Sequence, residues 1–416
     1  MPRSPSSPAF WRSPLRGPWF TSVLGVVLLG GITILFVTGL VSYAAYNPGL
    51  SPVNDMTPDK GLLGFYLFSW PTDPTWLYRL TQGVHVTLGI VLIPVLLAKL
   101  WSVVPKLFTL PPARSLAHAL ERISLLLLVG GALFEFTTGV LNIQLDYIFP
   151  GSFYPLHFYG AWVFFAAFVA HAVLRVPAAV RNLRHLRDEG ADEKQDDEGK
   201  LLSPDPVEPT VSRRGALGVV GGGSLLLLAT TAGRSFDGPL RETAVLAPHG
   251  GPEPGTGPSG FQINKTAASR GIDVTETSDE AWRLTVRAAG RTVRLSRTDL
   301  LQLPLHSAAL PIACVEGWST SDQWWRGVRL RDLARLVGYE EATAPDVLVE
   351  SLQRHGAFRR AALRDNQVRD PRSLLALFVN GEPLTPDHGY PARIIVPAAP
   401  GVLNTKWVAR MTFGDL

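Results

Sequence analysis

Long apolar stretches are the feature that most limits how this chain can fold. A helix that crosses the hydrocarbon core of a bilayer needs about 20 largely apolar residues. The first half of the chain holds stretches of that length at roughly Phe20–Tyr43, Leu80–Val103, Ile123–Ile143 and Tyr154–Val176, and a glycine-rich one follows at Gly215–Gly233. Only 18% of the residues are charged, against roughly 25% in an average soluble domain. The sequence therefore predicts an all-α membrane bundle of five spans.

The basic residues beside these stretches predict an orientation. Lys and Arg in short flanking loops mark the cytoplasmic side of a membrane protein. Here they precede the first stretch, separate the second from the third, and follow the fourth: Arg3, Arg12, Arg16, Lys99, Lys106, Arg114, Arg122, Arg175, Arg181, Arg184, Arg187, Arg213 and Arg214. The alternate loops are mainly acidic. We expect residues 1–19 in the cytoplasm and everything after Arg234 outside it.

Composition divides the rest of the chain. Acidic and proline-bearing residues predict a disordered cytoplasmic linker, and a Gly/Pro-rich run predicts a flexible tether before a globular part. Alternating segments such as Ala392–Val396 predict strands, and Val328–Gly338 has helical periodicity. The predicted order is membrane domain 20–180, linker 181–212, fifth span 213–234, tether 235–260 and a mixed α+β domain 261–416.

Histidines inside the apolar stretches predict a function for the membrane domain, because titratable side chains in a bilayer are costly. His85 and His157 lie near the outer ends of the second and fourth spans, and His118 and His171 lie near the inner surface. His157 and His171 are 14 positions apart, about 21 Å along a helix, which suits two stacked haems. We predict haem b ligation by His85 with His157 and by His118 with His171, as in a four-helix b-type cytochrome, which this region resembles in outline. The alternative is hydrogen bonding within a packed bundle.

The fifth stretch is preceded by Ser212-Arg213-Arg214-Gly215-Ala216-Leu217. This hexapeptide resembles the twin-arginine export signal, which directs proteins that fold around a cofactor before export. The alternative is an arginine pair that only sets the topology.

Cys314 is the sole cysteine of the chain, so an intrachain disulfide framework is excluded. From the residues alone the thiol is either an inert buried group or a metal ligand. The net charge of +4, without a basic block interleaved with aromatic residues, argues against a nucleic-acid partner.

Two motifs in the predicted globular domain resemble the sulfite-oxidase family of molybdopterin enzymes. ACVEGW followed by WWRGVRLRDLARLVG is similar to the segment that holds the molybdenum ligand in that family. The block Asn380–Lys406, NGEPLTPDHGYPARIIVPAAPGVLNTK, is similar to its HGxPxR segment and lysine-bearing loop. Within the family the cysteine segment is nearest in form to the catalytic subunit of periplasmic methionine-sulfoxide reductase. The resemblance covers about residues 261–416.

The resemblance implies a site for Mo-molybdopterin. Cys314 would be the thiolate ligand to molybdenum, and His388 and Arg393 would contact the pterin and its phosphate. The remaining cofactor-binding residues that it implies are Asn404, Thr405, Lys406, the upstream Asn264, Lys265 and Thr266, and Ser351. The nearby Trp318, Trp324 and Trp325 either line a substrate funnel or belong to the core.

Together these observations predict a membrane-anchored molybdenum oxidoreductase that transfers an oxygen atom to or from a small oxo substrate. The expected direction is reduction of an S-oxide or N-oxide with electrons from a quinone. The alternatives are oxidation of sulfite or a related substrate, a haem-free anchor served by a separate redox carrier, and a metal-free binding module.

Overall fold

The structure is a computed structural model of the chain, and it describes residues 4–7, 10–50, 68–108, 115–143, 153–184, 207–236, 238–247, 257–354 and 356–414. The chain divides into two compact units. One consists of Met1–Val37, Thr87–Leu141 and Leu156–Ala229, and the other of Thr38–Val86, Asn142–Pro155 and Thr230–Leu416. This division differs from the predicted boundaries: the described residues within 38–86 and 142–155 group with the C-terminal domain.

The N-terminal half is helical. Its helices are α1 (Pro18–Tyr46), α2 (Leu77–Val91), α3 (Ile93–Leu107), α4 (Leu116–Asn142), α5 (Tyr154–Arg184) and α6 (Arg213–Thr231). In the described residues four helices are long and apolar enough to cross a membrane, and α2 and α3 satisfy the same test together although they meet at a bend of 41°. The count is therefore four, or five if the bent pair is one span.

The first unit has an apolar core of its own. Phe20, Leu24, Leu28 and Ile32 of α1 are buried at helical spacing against Phe164 and other apolar side chains of the unit. Many other apolar side chains of these helices are exposed. Apolar residues all round a helix are typical of a span that faces lipid, so this burial pattern agrees with the composition.

The C-terminal part of the second unit is a mixed α/β domain with two five-stranded sheets. The first sheet has the order β2-β1-β10-β5-β6 and the second the order β3-β4-β7-β8, with β9 paired to β7. Only β1 and β10 are parallel among the strand pairs of the described chain. The strands are β1 (Leu284–Ala288), β2 (Arg291–Leu295), β3 (His306–Leu310), β4 (Gln323–Arg329), β5 (Val347–Ser351), β6 (Arg360–Leu363), β7 (Leu374–Val379), β8 (Glu382–Pro383), β9 (Arg393–Ile395) and β10 (Val408–Phe413).

The predicted alternation and periodicity agree with these elements. Along β1, Leu284 and Val286 are fully buried and the intervening residue is less so, as expected for a strand with one face on the core. Short helices accompany the sheets: α7 (Pro239–Glu242), α8 (Arg297–Leu301), α9 (Leu330–Leu336) and α10 (Asp365–Arg369). Helix α9 buries Leu330 and Leu333 in the largest apolar core.

Part of the segment predicted as a flexible tether differs from that prediction. Residues Pro239–Glu242 form a helical turn, and the side chain of Arg241 is buried and donates a hydrogen bond to the carbonyl oxygen of Ser319. The reason is that a basic side chain here finds a main-chain acceptor in the folded domain, which composition alone does not reveal. The predicted linker lies mainly outside the described residues.

Residues 68–86 are held to the C-terminal domain by polar contacts within the second unit. Trp70 Nε1 donates to Ala398 O at 2.7 Å, and Asn366 Nδ2 donates to Trp70 O at 2.7 Å. Arg372 forms a two-nitrogen ion pair with Asp73, at 2.8 Å for both bonds. These contacts explain why this stretch belongs to the second unit.

Candidate functional site

Cys314 lies on a tight turn between β3 and β4. Its backbone N–H donates to Trp318 O at 2.8 Å, and Gly317 N donates back to Cys314 O at 3.0 Å. The neighbouring Ala313 bridges to both Ser319 and Pro400, so the turn meets the loop that follows β9. The thiol is buried and 3% exposed.

The surroundings of Cys314 keep its thiol protonated in the absence of a cation. Burial raises the pKa of Cys314 well above its usual value, and the Glu316 carboxylate raises it further, whereas Lys265 acts in the opposite direction. Burial also raises the pKa of Glu316, whose Oε2 accepts a 2.9 Å hydrogen bond from Trp318 Nε1. A bound metal ion removes the proton of a coordinating thiol outright, so this cysteine suits a metal ligand better than a free nucleophile.

The HGxPxR block forms a buried basic cluster. Arg393, on β9, donates from Nη1 to His388 O at 3.1 Å and from Nη2 to Asn404 O at 3.3 Å. Burial lowers the pKa of Arg393 to about 9, so the guanidinium stays charged at neutral pH. The His388 ring accepts or donates a 2.8 Å hydrogen bond between Nδ1 and Thr385 Oγ1. Burial, with the charges of Arg393 and Lys406, lowers the pKa of His388 to about 4.

Lys406 joins three segments that are distant in sequence. Its Nζ donates to Lys265 O at 2.9 Å and to Asp387 O at 2.7 Å, and its own carbonyl oxygen accepts a 2.7 Å hydrogen bond from Ser351 Oγ. Burial and the positive charges of Arg393 and Lys265 lower the pKa of Lys406 well below its usual value. A cluster of buried cations with lowered pKa values favours an anionic ligand.

The unsatisfied atoms of this cluster are nearly all potential donors. In the described part of the chain, four buried side-chain atoms of the predicted site have no hydrogen-bond partner: His388 Nε2, Arg393 Nε, Asn404 Nδ2 and Thr405 Oγ1. Buried polar groups are normally paired. A phosphate-bearing pterin supplies acceptors to such a donor set, so these residues fit the cofactor.

The other predicted cofactor residues are placed as follows. Lys265 Nζ donates to Ala357 O at 3.1 Å, and Asn264 beside it is half-buried. Thr266 is exposed, and its hydroxyl accepts a hydrogen bond from Ser269 N. Ser351 contacts Lys406 rather than an open site. The structure thus brings Lys265 and Ser351 to Lys406, and these roles toward a cofactor stay predictions.

The three tryptophans have different environments. Trp325 is fully buried and donates to Leu310 O at 2.9 Å, with the Arg393 guanidinium 5.1 Å from its ring centre. Trp318 is buried beside Glu316, whereas Trp324 is 55% exposed. Trp325 belongs to the core, and Trp318 alone lies on the cysteine turn.

Two histidines of the apolar helices, His85 and His157, share one local arrangement. His85 Nδ1 lies 3.0 Å from Thr38 Oγ1 in the second unit, and His157 Nδ1 lies 3.0 Å from Thr138 Oγ1 in the first unit. Each ring also packs on the glycine after its threonine, Gly39 or Gly139. The sequence signal is a repeated F-x-T-G, at positions 36–39 and 136–139, which the sequence analysis missed.

The pairing predicted for these histidines is not tested. His85 and His157 belong to different units, the side chain of His118 lies outside the described residues, and His171 is half-buried on α5. His157 has an acidic neighbour, since its Nδ1 lies 3.1 Å from Glu135 Oε2. In the described part of the chain no group of three or more His, Cys, Asp or Glu is arranged to hold a metal ion. Haem ligation therefore stays a prediction.

Comparison with known families decides the nature of the C-terminal domain. Residues 271–415 match the family described as "Oxidoreductase molybdopterin binding domain". Residues 271–415 form a molybdopterin-binding oxidoreductase domain. The match covers Cys314, His388, Arg393 and Lys406, and it extends past the last strand, β10.

Individual proteins are also similar in sequence to part of the chain. The "Uncharacterized oxidoreductase YuiH" of Bacillus subtilis is 34% identical over 133 residues, which are 32% of this chain and 65% of YuiH. Mitochondrial sulfite oxidase of Rattus norvegicus is 30% identical over 166 residues, 34% of this chain and 30% of that enzyme. The chain thus spans less than two thirds of the length of these relatives. These similarities support an oxidoreductase domain of the sulfite-oxidase type.

One solved structure is similar to part of the chain. It is the sulfane dehydrogenase SoxCD of Paracoccus pantotrophus, with 24% identity, a TM-score of 0.30, and coverage of 33% of this chain and 39% of that one.

Two further charged residues, Arg234 and Glu316, lie beside the cysteine turn and were not predicted from the sequence. Arg234 is fully buried and follows the fifth apolar stretch on the side predicted to be outside. A basic residue on that flank departs from the positive-inside pattern, and this departure was the available signal.

Proposed function

We propose that the chain is a membrane-anchored molybdenum-cofactor oxidoreductase that transfers an oxygen atom to or from a small substrate. The observation that carries the proposal is a buried thiol, Cys314, whose turn bridges to the loop after β9, together with a buried basic cluster whose unsatisfied atoms include Arg393 Nε and Asn404 Nδ2. The family match of residues 271–415 supports the same cofactor.

When bound, the molybdopterin group supplies the two-electron redox chemistry of oxygen-atom transfer. Cys314 would hold the metal as a thiolate, within a turn fixed by its own main-chain hydrogen bonds. Arg393, Thr405 and Lys406 would hold the phosphate by charge-assisted hydrogen bonds. His388 stays neutral at pH 7 and its Nδ1 is engaged by Thr385, so Nε2 is the nitrogen that faces the ligand.

We infer that reduction of an S-oxide or N-oxide is the physiological direction. The cysteine segment CVEGW has the form found in methionine-sulfoxide reductase, and this resemblance is the ground for the inference. The reaction consumes two electrons and two protons, cleaves the S–O or N–O bond, and yields a sulfide or amine with water. Glu316, which is buried and has hydrogen bonds with Trp318 and Cys314, is the side chain we assign to proton exchange with the substrate.

We also propose that the membrane helices bring the electrons from a quinone, with haem b held by His85 and His157. Each histidine uses Nδ1 for the threonine hydroxyl, so Nε2 is the nitrogen we assign to iron, and such an orienting hydrogen bond is typical of metal-bound histidine. Haem would supply one-electron transfer there. The predicted inner pair, His118 and His171, would hold a second haem. The N-terminus would be cytoplasmic and the catalytic domain extracytoplasmic.

A spectroscopic experiment tests this function on the detergent-purified full-length protein. The reduced-minus-oxidised spectrum should contain the sharp band of b-type haem. Dimethyl sulfoxide or trimethylamine N-oxide added to the anaerobically reduced protein should then reoxidise the haem. Reduction of oxidised haem by sulfite would instead support the oxidising direction. A protein with molybdenum and no haem band would mean that the helices serve only as an anchor and that a separate redox carrier supplies the electrons.

A further inference from the structure

The side chain of Arg234 is buried without a hydrogen-bond partner. It is 0% exposed, and its Nε, Nη1 and Nη2 atoms all lack a partner in the part of the chain that the structure describes. A guanidinium carries five N–H donors, and a buried charge without a partner is strongly destabilising. A side chain kept in this state indicates a ligand that is absent from the polypeptide itself.

The guanidinium of Arg234 packs against the turn that carries Cys314. Gly317 has a left-handed backbone, with φ of +88°, and a Cβ at this position would lie 3.1 Å from Arg234 Nη2 and 2.8 Å from Val86 Cβ. The turn therefore needs glycine both for its backbone angle and for the close approach of the arginine. Gly317 N in turn donates to Cys314 O, so the arginine packs against the short loop that carries the predicted metal ligand.

The backbone around Arg234 is fixed from several directions. Arg234 O accepts a 3.2 Å hydrogen bond from Ser319 N, and Ser235 Oγ donates to Gly317 O at 2.8 Å. Arg79 donates from Nε and Nη2 to Ser235 O at 2.8 and 2.6 Å. The position of Arg234 is therefore built into the fold, unlike that of a surface arginine.

The acidic groups that act on Arg234 are Glu316 and the Cys314 thiol. Neither forms a hydrogen bond to the guanidinium in the described residues, and Glu316 Oε2 already accepts from Trp318. Arg234 also precedes residues 271–415, the part of the chain that matches the family. The charge of Arg234 is therefore supplied to the cysteine turn from outside the residues that match the family.

We propose that Arg234 is a substrate-binding residue that holds the negatively charged oxygen atoms of the substrate beside Cys314. The inference rests on the proposed oxygen-atom transfer and adds the substrate class: a small molecule that carries an anionic oxygen, either an oxyanion or an S-oxide or N-oxide with an acidic group. A guanidinium suits this class because its planar fork binds two oxygens at once.

The test measures binding of sulfate, as an oxyanion probe, to molybdenum-loaded full-length protein by isothermal titration calorimetry. Arg234→Met should weaken sulfate binding by about 10–100-fold, the value of one charge-assisted pair, with molybdenum content unchanged. Arg234→Lys, which keeps the charge and loses the fork, should weaken it about 10-fold. The control, Arg326→Met, removes an exposed arginine of β4 and should leave sulfate affinity unchanged.

Three results overturn the proposal. Equal sulfate affinity in the wild type and Arg234→Met would mean that the arginine only balances the charge of Glu316. Loss of molybdenum from Arg234→Met would mean that the arginine holds the cofactor. If Arg234→Met does not fold, unchanged sulfate binding by Arg234→Lys contradicts the proposal equally well. A wild type without molybdenum would instead contradict the proposed function.

Discussion

Lys406 Nζ donates a 2.9 Å hydrogen bond to the carbonyl oxygen of Lys265 across 141 positions of sequence. This bond joins the segment before β1 to the loop before β10, and it connects Lys265 to the basic cluster. It also explains why two segments that look unrelated in the sequence belong to one candidate site.

Replacing Lys406 tests the basic cluster. Lys406→Met removes a buried donor and should weaken retention of the pterin about 10–100-fold, since a hydrogen bond to a charged group such as a phosphate contributes about 1.5–3 kcal/mol. The measurement is the pterin content per chain, from the fluorescence of the oxidised pterin after purification. Arg410→Met is a matched control, because Arg410 is on the same stretch of chain but pairs with Glu350. Equal pterin loss in both variants would contradict a specific role for Lys406.

His388 should make the cofactor-free protein sensitive to acid. Its pKa is lowered to about 4 in the folded chain, against about 6.5 when unfolded. The unfolded state therefore binds more protons between these values, and stability falls as the pH decreases from about 6.5 to 4, by up to about 3 kcal/mol. Thermal unfolding of the cofactor-free protein across this range should have a steeper pH dependence than that of His388→Gln. Parallel curves would show that His388 titrates normally.

The two threonine–histidine pairs predict a selective effect on haem. Thr138→Val and Thr38→Val each remove the hydroxyl at 3.0 Å from a histidine Nδ1, and should lower haem affinity 10-fold or more and shift its reduction potential, because this bond orients the ligand. Thr137→Val changes the exposed neighbour and is the control. A redox titration of the haem band measures both quantities. If all three variants behave alike, the threonines do not orient haem ligands.

Ser351 should act on cofactor binding through Lys406. Ser351→Ala removes the 2.7 Å hydrogen bond to Lys406 O, at about 1 kcal/mol, and should weaken pterin retention by about fivefold. Ser351→Thr, which keeps the hydroxyl, should restore retention. Pterin content that is lost in both variants would indicate a packing defect instead.

Hydrophobic periodicity depends on local positions, and it was sufficient to predict particular elements, among them a strand at Ala392–Val396 and a helix within Val328–Gly338. Leu330 and Leu333 lie on the same face of that helix, α9, and both are fully buried. The motifs around Cys314 and Arg393 also identified the family of the domain, which the comparison with known families supports.

Three-dimensional relationships account for what the sequence analysis missed. Trp70 and Asp73 contact the C-terminal domain through hydrogen bonds, and such contacts depend on long-range packing that carries no local pattern. The turn Pro239–Glu242 looked like a tether because proline and glycine surround it. Arg234 was overlooked because its departure from the positive-inside pattern does not show that the side chain is buried beside the cysteine turn.

The most direct test of the account is the molybdenum content of detergent-purified full-length protein beside that of Cys314→Ser. We predict about one molybdenum per chain in the wild type and a loss of most of it in the variant, with haem content unchanged. The control is Trp324→Ala, which changes an exposed side chain of β4. This variant should keep its molybdenum. No molybdenum in the wild type, from a host that makes the cofactor, would contradict the central claim.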